Sequence, residues 1–492
     1  MAFDPKTLPQ FKAVQENRRR ALVREALEVG STIDGFLIEE KIHSGGMATL
    51  WRVKHPDISV PIVMKVPMIL DGDDAAIIVG FEMEMMILPR LSGPHVPKCF
   101  GVGDYARQPY LVMEHIEGES LLARIPDAPL SAEELTKIGA RVATALVDLH
   151  RQNVIHLDIK PSNIMMKPNG EAVFIDFGLS RHLQLPDLLE EEFRVPMGTG
   201  PYISPEQVLR NRTDPRSDIF SLGVLLYHLA THVRPFGFPQ AQSQLRKRLW
   251  RDPVPPRKLN PNLPLYLQEI ILRCLEPNPD ERYPTAAQLA FDFTHPDSVK
   301  LTERAYRLKR ASLLTAWKKR FELLGVNEQP KQPQPAHLAP APIIMVAVDL
   351  SDGMETLAET LREHVARVLT TLPDARLACV NILKLNRLTI NYALDQEGRN
   401  IHVQRLVDLK KWARPFGLAQ ERITFHVLEH ADPAAALIEY AQSNNVDQVI
   451  IGARANRALR RFLGSVSSQV VAEAPCTVTV VRLPAGGDDV TL

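Results

Sequence analysis

One stretch limits the fold more than any other: residues 327–342, "NEQPKQPQPAHLAPAP". Its prolines (Pro330, Pro333, Pro335, Pro340 and Pro342) each remove a backbone donor and fix φ, so no helix interior or central strand can run through it. It has no apolar period to bury and reads as an extended, semi-rigid linker. The 492 residues must therefore fold as units on either side of it. The two sides carry different patterns. The first begins strand-rich, in "GFLIEEKIHSGGMATLWRV" and "PIVMKVPMIL", and turns helical in "ELTKIGARVATALVDLHRQ", "IFSLGVLLYHLATH" and "LPLYLQEIILRCL". A small β-rich part followed by a mostly helical one predicts an α+β, two-lobed unit over 33–295 with a cleft between the lobes. The second side alternates strand and helix, from "IIMVAVD" and "METLAETLREHVARVLTTL" to "PAAALIEYAQSNN", "VDQVIIGA" and "CTVTVVRL". That alternation predicts an α/β unit with a parallel sheet over 343–484. Residues 384–400 read as a variable excursion within it.

Two further helices are expected outside these units. One covers 9–29 in an N-terminal extension (1–32). The other covers 301–324 in a basic segment (296–326), where Leu301, Ala305 and Leu308 recur at helical spacing and are expected to dock on the preceding unit. Lys+Arg and Asp+Glu both number 58, so net charge gives no argument for nucleic acid or a membrane surface. The cysteines, Cys99, Cys274, Cys379 and Cys476, form no CxxC and read as buried thiols of a reducing compartment. The first twenty residues lack the apolar core of a signal peptide, and no run approaches the ~18 apolar residues a membrane helix requires. These features predict a soluble cytoplasmic protein without a membrane span.

Phosphoryl transfer from a nucleotide requires charge on the phosphates, metal ligands, an aspartate near the attacking hydroxyl and a pocket for the base. The first unit offers such groups in order. "HLDIKPSN" (156–163) supplies Asp158, Lys160 and Asn163, and "VFIDFGLS" supplies Asp176 after a strand. "GTGPYISPE" follows, ending at Glu206. In that order and spacing, with "IVMK" and "FEMEMMILPRL" upstream, residues 33–295 resemble a bacterial protein kinase of the eukaryotic-like serine/threonine class.

The resemblance implies an ATP- and Mg2+-dependent kinase acting on serine or threonine of a protein substrate. It places Asp158 at the substrate hydroxyl, Lys160 at the transferring phosphoryl group, and Asn163 and Asp176 on magnesium. Lys65 would grip the α- and β-phosphates and pair with Glu84. Ile42, Leu50, Val63 and Met165 would sandwich adenine, with Met113 as gatekeeper and backbone groups of Glu114 and Ile116 bonding the base. Glu206 is expected to pair with Arg282, and Asp218 to brace the catalytic loop. In the glycine loop, "IHSGGMATL", only Gly45 stands at a glycine position, followed by Gly46; His43 and Ala48 occupy the other two. That departure implies weakened nucleotide affinity.

A second departure is Leu157, where many such kinases carry an arginine that binds a phosphorylated activation segment. From Arg181 to Gly198 the chain has no Ser, Thr or Tyr. Acceptor and donor are missing together, which implies a kinase that is not switched by activation-loop phosphorylation. Leu157 is expected to pack beneath a loop ordered by Leu185, Leu188, Leu189 and Phe193, while Glu190–Glu192 read as a solvated charged face, with pairing to nearby basic groups as the alternative.

Residues 343–482 resemble a universal stress protein domain, carried by "IIMVAVD" and "VIIGARANRALRRFLGSVSSQVVAEAPCTVTVVR". Asp349 matches the family's adenine-side acid. Ala455 replaces a glycine, and the spacing from there to Gly464-Ser465 is one residue short. Nucleotide binding at Gly464–Ser467 and a binding or dimerisation module without catalysis both stay open, and a homodimer through this unit is expected. The alternative reading for the whole chain is a catalytically weak, nucleotide-sensing scaffold.

Overall fold

The computed structural model describes residues 27–68, 75–310, 341–351, 353–384, 400–453 and 464–483. Most of the expected 9–29 helix, most of the linker and nearly all of the 384–400 excursion lie outside these residues.

The first lobe is a six-stranded antiparallel sheet of β1 (Thr32–Ile33), β2 (Phe36–Ser44), β3 (Ala48–Lys54), β4 (Ile62–Pro67), β5 (Cys99–Asp104) and β6 (Gln108–Glu114), in the order β1-β2-β3-β4-β6-β5. Asp34 and Gly35 both adopt positive φ, the twist that a two-residue hairpin demands. Alternation along the strands divides the faces. Ile38, Val53, Ile62, Met64 and Val112 form an outer core; Val63, Leu111 and Met113 turn inward to meet helix α1 (Ala75–Ile87).

The second lobe is built on helix α2 (Ala132–Arg151), opened by a reciprocal cap between Ser131 and Glu134. Its buried residues, Leu135, Ile138, Val142, Leu146 and Leu149, fall at spacings of three and four. A short helix α3 (Leu188–Glu192), then α4 (Arg216–Thr231), α5 (Leu265–Cys274) and α6 (Ala286–Thr294) complete it. A Cβ at Gly139 would stand 2.5 Å from the Phe293 ring, so α2 and α6 approach more closely than any larger residue allows. Small strands β7 (Glu119–Ser120), β8 (Val154–Ile155), β9 (Ile164–Met166), β10 (Ala172–Phe174) and β11 (Arg181–His182) pair as β10-β9-β7 and β11-β8 around the cleft.

Of the helix expected over 301–324, residues 311–324 lie outside the described residues, and residues 301–310 form no continuous helix. One helical turn, Glu303–Tyr306, is present, and Arg307–Arg310 are not helical. The reason is local. Gln268 of α5 donates its amide to the carbonyls of Arg304, Ala305 and Arg307, and Glu269 accepts from the N–H groups of Thr302 and Ala305. Those backbone groups are no longer available for a helical ladder. Docking on the preceding unit does occur here, with Ala305 fully buried, while Leu308 is exposed.

After the linker, β12 (Ile343–Ala347), β13 (Arg376–Lys384), β14 (Ile423–His430), β15 (Gln448–Gly452) and β16 (Thr477–Val481) form an all-parallel sheet in the order β14-β13-β12-β15-β16. Helices α7 (Glu355–Thr371), α8 (Ile401–Ala413), α9 (Pro433–Ser443) and α10 (Ser465–Glu473) cover it. Asp349 lies just beyond the carboxyl end of the central strand β12, where the order of strands reverses.

The two units are not separate bodies. Val403, Leu406 and Val407 of α8 and Val427 of β14 belong to the same buried cluster as Ile78 and Phe81 of α1 and Leu188 and Leu189 of α3. One core runs across the boundary.

Candidate active site

Lys65 lies on β4, directly across from Leu50 on β3 and Leu111 on β6. Its Nζ stands 2.6 Å from Glu84 Oε2 of α1 and 3.1 Å from Asp176 Oδ1. Burial would lower the lysine, but Asp176 and Glu84 together hold it above its ordinary range. The same ammonium depresses Asp176 to about 2. Burial pushes the Glu84 carboxyl up against the pull of Lys65. Phe177 is fully buried, stacks at a tilt on His156, and donates its N–H to Glu84 Oε1 at 3.4 Å. Helix α1 is therefore swung in, and the Asp176 side chain, 43% exposed, is turned into the cleft.

Below it, Asp158 organises the loop before β9. Its Oδ2 accepts from Lys160 Nζ at 2.7 Å and from Asn163 Nδ2 at 3.0 Å; its Oδ1 accepts from Thr199 Oγ1 at 2.6 Å. Lys160 also reaches Thr199 Oγ1, at 3.2 Å. Asp218, with a fully buried side chain, accepts from the N–H groups of His156 and Leu157, both at 2.9 Å. Glu206 and Arg282 form a buried bidentate pair at 2.6 and 3.1 Å.

Of the residues expected around adenine, Ile42, Leu50, Val63 and Met113 stand on the first-lobe sheet and Met165 on β9. Val63 faces Met113 across the β4–β6 ladder, and Val63, Met113 and Ile116 are buried. Leu50 and Met165 are half-buried, and Ile42 is exposed at the roof. Glu114 N–H donates to Lys98 O at 2.8 Å. In the glycine loop Gly45 N–H donates to Ala48 O, and a Cβ on Gly45 would stand 3.3 Å from His43 Nε2. His43 is exposed and leans over its own turn; a side chain at Gly46 would meet nothing. A groove of about 840 Å3 lies on the outer face of the sheet, lined by Leu37, Arg52, His55 and Ile62, and holds none of these groups.

The activation segment is ordered. Leu157 is 2% exposed, its carbonyl bonded by Gln207 at 2.7 Å, and Leu185, Leu188 and Leu189 are buried with it. Asp187 caps α3 by accepting from Glu190 N–H, and Arg212 grips Asp187 at 2.7 Å within the protein.

The expectation of a solvated Glu190–Glu192 face is wrong for two of the three. Glu191 bonds Arg376 of β13 and accepts from Tyr440 Oη of α9 at 3.1 Å, while Glu192 stands 2.9 Å from His426 Nδ1 of β14. Both carboxylates are buried against the second unit, where solvation is replaced by paired charge. Arg212, Gln207 and the partners of this acidic pair, Arg376 and His426, went unrecognised in the sequence. The clue available was a run of acids amid Leu185–Leu189, an apolar setting that solvated acids rarely keep.

In the second unit, Gly464 caps α10 and Asp349 accepts from Ser351 N–H and Oγ at 3.1 and 2.6 Å. Ala455 lies outside the described residues.

A lysine paired to a helix carboxylate across a two-lobed cleft, over an aspartate loop and a second aspartate before a buried phenylalanine, is the arrangement of a protein-kinase centre. Residues 36–293 match the family described as Protein kinase domain, and residues 341–482 match the Universal stress protein family. The chain belongs to the protein kinase domain family, with a universal stress protein domain at its C-terminal side. It is 31% identical over 270 residues to the serine/threonine-protein kinase PknL of Mycobacterium tuberculosis (strain H37Rv), which covers 55% of this chain and 67% of PknL. It is 30% identical over 252 residues to the probable serine/threonine-protein kinase CPE1738 of Clostridium perfringens (51% and 36%). PknB of Mycolicibacterium smegmatis is 29% identical over 294 residues (58% and 47%). The chain thus spans between 36% and 67% of the length of these relatives.

Proposed function

We propose that this chain is an ATP- and Mg2+-dependent protein serine/threonine kinase whose activation segment is ordered without phosphorylation. The observation that carries the reading is Lys65 held between Glu84 and Asp176, above Asp158, Lys160 and Asn163 already bonded to one another.

The residues fit both missing groups. Asn163 turns its amide nitrogen onto Asp158, so its amide oxygen, which accepts from Ser162 Oγ at 3.2 Å, is the end that would meet a metal, and Asp176 is ionised and open to the cleft. Two such oxygens suit magnesium, which is held by few protein ligands beside substrate phosphates. No ready-made group of three metal-binding side chains exists among the described residues, as expected of a site that the nucleotide completes. When bound, the metal would neutralise charge on the phosphates.

The protein's own part is positioning and charge. Glu84 holds the Lys65 ammonium, which would meet the phosphates of a bound nucleotide. Asp158 Oδ1, held by Thr199 in this state, is the oxygen that would take the hydrogen bond of an incoming serine or threonine hydroxyl and orient it. Lys160, beside it, is placed to offset charge on the transferring group. Gly45 and Gly46 leave the loop open above the phosphates.

The second domain acts as a regulatory or dimerising module, and no helix among the described residues is long and apolar enough to cross a membrane. The scaffold reading rests on His43 and Ala48 in the glycine loop and is separated by the same test. Purified protein incubated with ATP and magnesium should yield mapped phosphoserine or phosphothreonine. Asp158→Asn should lower the rate by a factor on the order of 10²–10⁴, the usual worth of a positioned acid–base group. Equal phosphorylation by both proteins would remove the assignment.

A further inference from the structure

The second domain touches the kinase unit at the two elements whose position decides activity. On α1, Glu84 faces inward to Lys65. Glu82, two residues away, is turned about 200° round the helix at 3.6 residues per turn. It pairs there with Lys410 of α8. Lys410 also lies over the Tyr105 ring at 5.1 Å and the Phe425 ring at 5.8 Å, so the contact is partly dry. One helix is thus held on its inner face by Lys65 and on its outer face by the second domain. At its end Arg90 pairs with Glu421 at 2.6 Å.

On α3, Glu191 and Glu192 meet Arg376 and His426. His426 Nδ1 stands 2.9 Å from Glu192, and its Nε2 2.9 Å from Glu191 without the directed geometry of a hydrogen bond. Asn444 donates to the Glu191 carbonyl at 3.4 Å. The charges are complementary: acids on the kinase side at Glu82, Glu191 and Glu192, bases opposite at Lys410, Arg376 and His426. Beneath them lies the shared apolar core of Val403, Leu406, Val407 and Val427.

We propose, on the reading of the chain as a kinase, that the C-terminal domain is the activating partner of its own kinase unit. Seated on α1 and α3, it keeps both where phosphotransfer needs them. Glu82, Lys410, Glu191, Arg376 and His426 are then positioning residues. Arg376 and His426 do for the acidic pair on α3 what an arginine before Asp158 does for a phosphorylated segment. A charged contact is thereby supplied by sequence rather than by modification, which accounts for Leu157 and for the absence of a phosphorylatable residue.

The test is a charge exchange in the full-length chain. Glu82→Lys and Lys410→Glu alone should each lower kcat about tenfold, within the range of 5–150-fold typical of coupled sites, with KM for ATP little changed. The double exchange should restore kcat to within about threefold. Hydrogen exchange of 75–87 and 188–192, measured without nucleotide, should quicken in each single variant and recover in the double. Single variants with wild-type kcat, or exchange that does not respond, would overturn the proposal. If the wild-type chain phosphorylates nothing, the exchange measurement still decides whether the domain clamps these elements, so failure of the kinase reading is told apart from failure of the clamp.

Discussion

At the residue scale, two positions carry sharp consequences. Lys65 sits between two carboxylates at 2.6 and 3.1 Å, and removing its charge leaves the buried Glu84 with the Phe177 N–H alone and no counter-charge. Lys65→Met should abolish phosphotransfer and leave the chain folded, since Met replaces the stem in volume, though with a lower melting temperature because Glu84 loses its counter-charge; an assay beside a circular dichroism melt checks both halves.

His426 is the second. Burial would lower its imidazole, but Glu191 and Glu192 hold it up at about 9, against an ordinary 6.5. The other groups around it are Arg376 of β13, Tyr440 of α9 and His402 of α8, whose charge acts on Glu192. Glu191 is held down to about 2 despite its burial, and Arg376 is raised, so both stay charged through neutral and alkaline pH. Burial raises Tyr440 well above 10, so it stays neutral. The histidine's folded value is raised, so its contribution to docking is full below about 6.5 and is lost as pH climbs through 9. Between pH 7 and 9.5 the wild-type kcat should fall by roughly fivefold or more. His426→Gln, which keeps a polar contact without the proton, should start lower and show a flatter limb. Parallel pH profiles of the two proteins would count against the assignment.

At the scale of elements, the activation segment is held by groups within the chain. Leu157, Leu185, Leu188 and Leu189 fill its underside, and Arg212 grips the Asp187 cap. Phosphatase-treated protein should therefore phosphorylate a generic substrate as fast as untreated protein. A tenfold drop, about 1.4 kcal/mol in barrier, would mean that a phosphate contributes after all. Arg212→Ala should act oppositely to phosphatase. It leaves the buried Asp187 with the longer Arg181 contact at 3.7 Å and the Glu190 N–H, a loss of up to about 3–5 kcal/mol, and should lower both the melting temperature and kcat. The strands and long helices of both domains were legible because their periods are local. Strand β14 was not. Its "ITFHVLEH" mixes His426, Glu429 and Thr424 into an apolar run, since part of one face meets the kinase unit rather than a helix of its own domain. The described part of the helix expected over 301–324, residues 301–310, forms one turn only for a related reason: Gln268 and Glu269, more than thirty positions away, take its backbone groups.

For the whole molecule, the parallel sheet has two edges. The β14 edge is covered by α3 of the kinase unit, and β16 at the other pairs only with β15 among the described residues. A β-branched, uncharged edge is a template for pairing, so two chains are expected to join along β16 about a two-fold axis. Light scattering of the full chain at tens of micromolar should give twice the monomer mass; a monomeric mass would exclude pairing through this edge. Because the domains dock face to face, the distance between paired kinase units would follow from that docking and not from the reach of the linker.

What the sequence determined by itself is the chemistry. Asp158, Lys160 and Asn163 lie within six residues, Asp176 follows a short hairpin, and motifs so local hold their geometry wherever the loop is built. The division at the prolines and the class of each domain were equally local matters of period and breaker. The missing arginine and missing phosphosite were also visible as absences. What replaces them was decided only by the tertiary structure, because Glu191 and Arg376 stand 185 positions apart and Glu82 and Lys410 stand 328. A lone acid carries no mark of its partner in its own sequence neighbourhood. Whether it is solvated or buried in a pair depends on which surface arrives opposite, and that is fixed by the packing of a core shared between two domains.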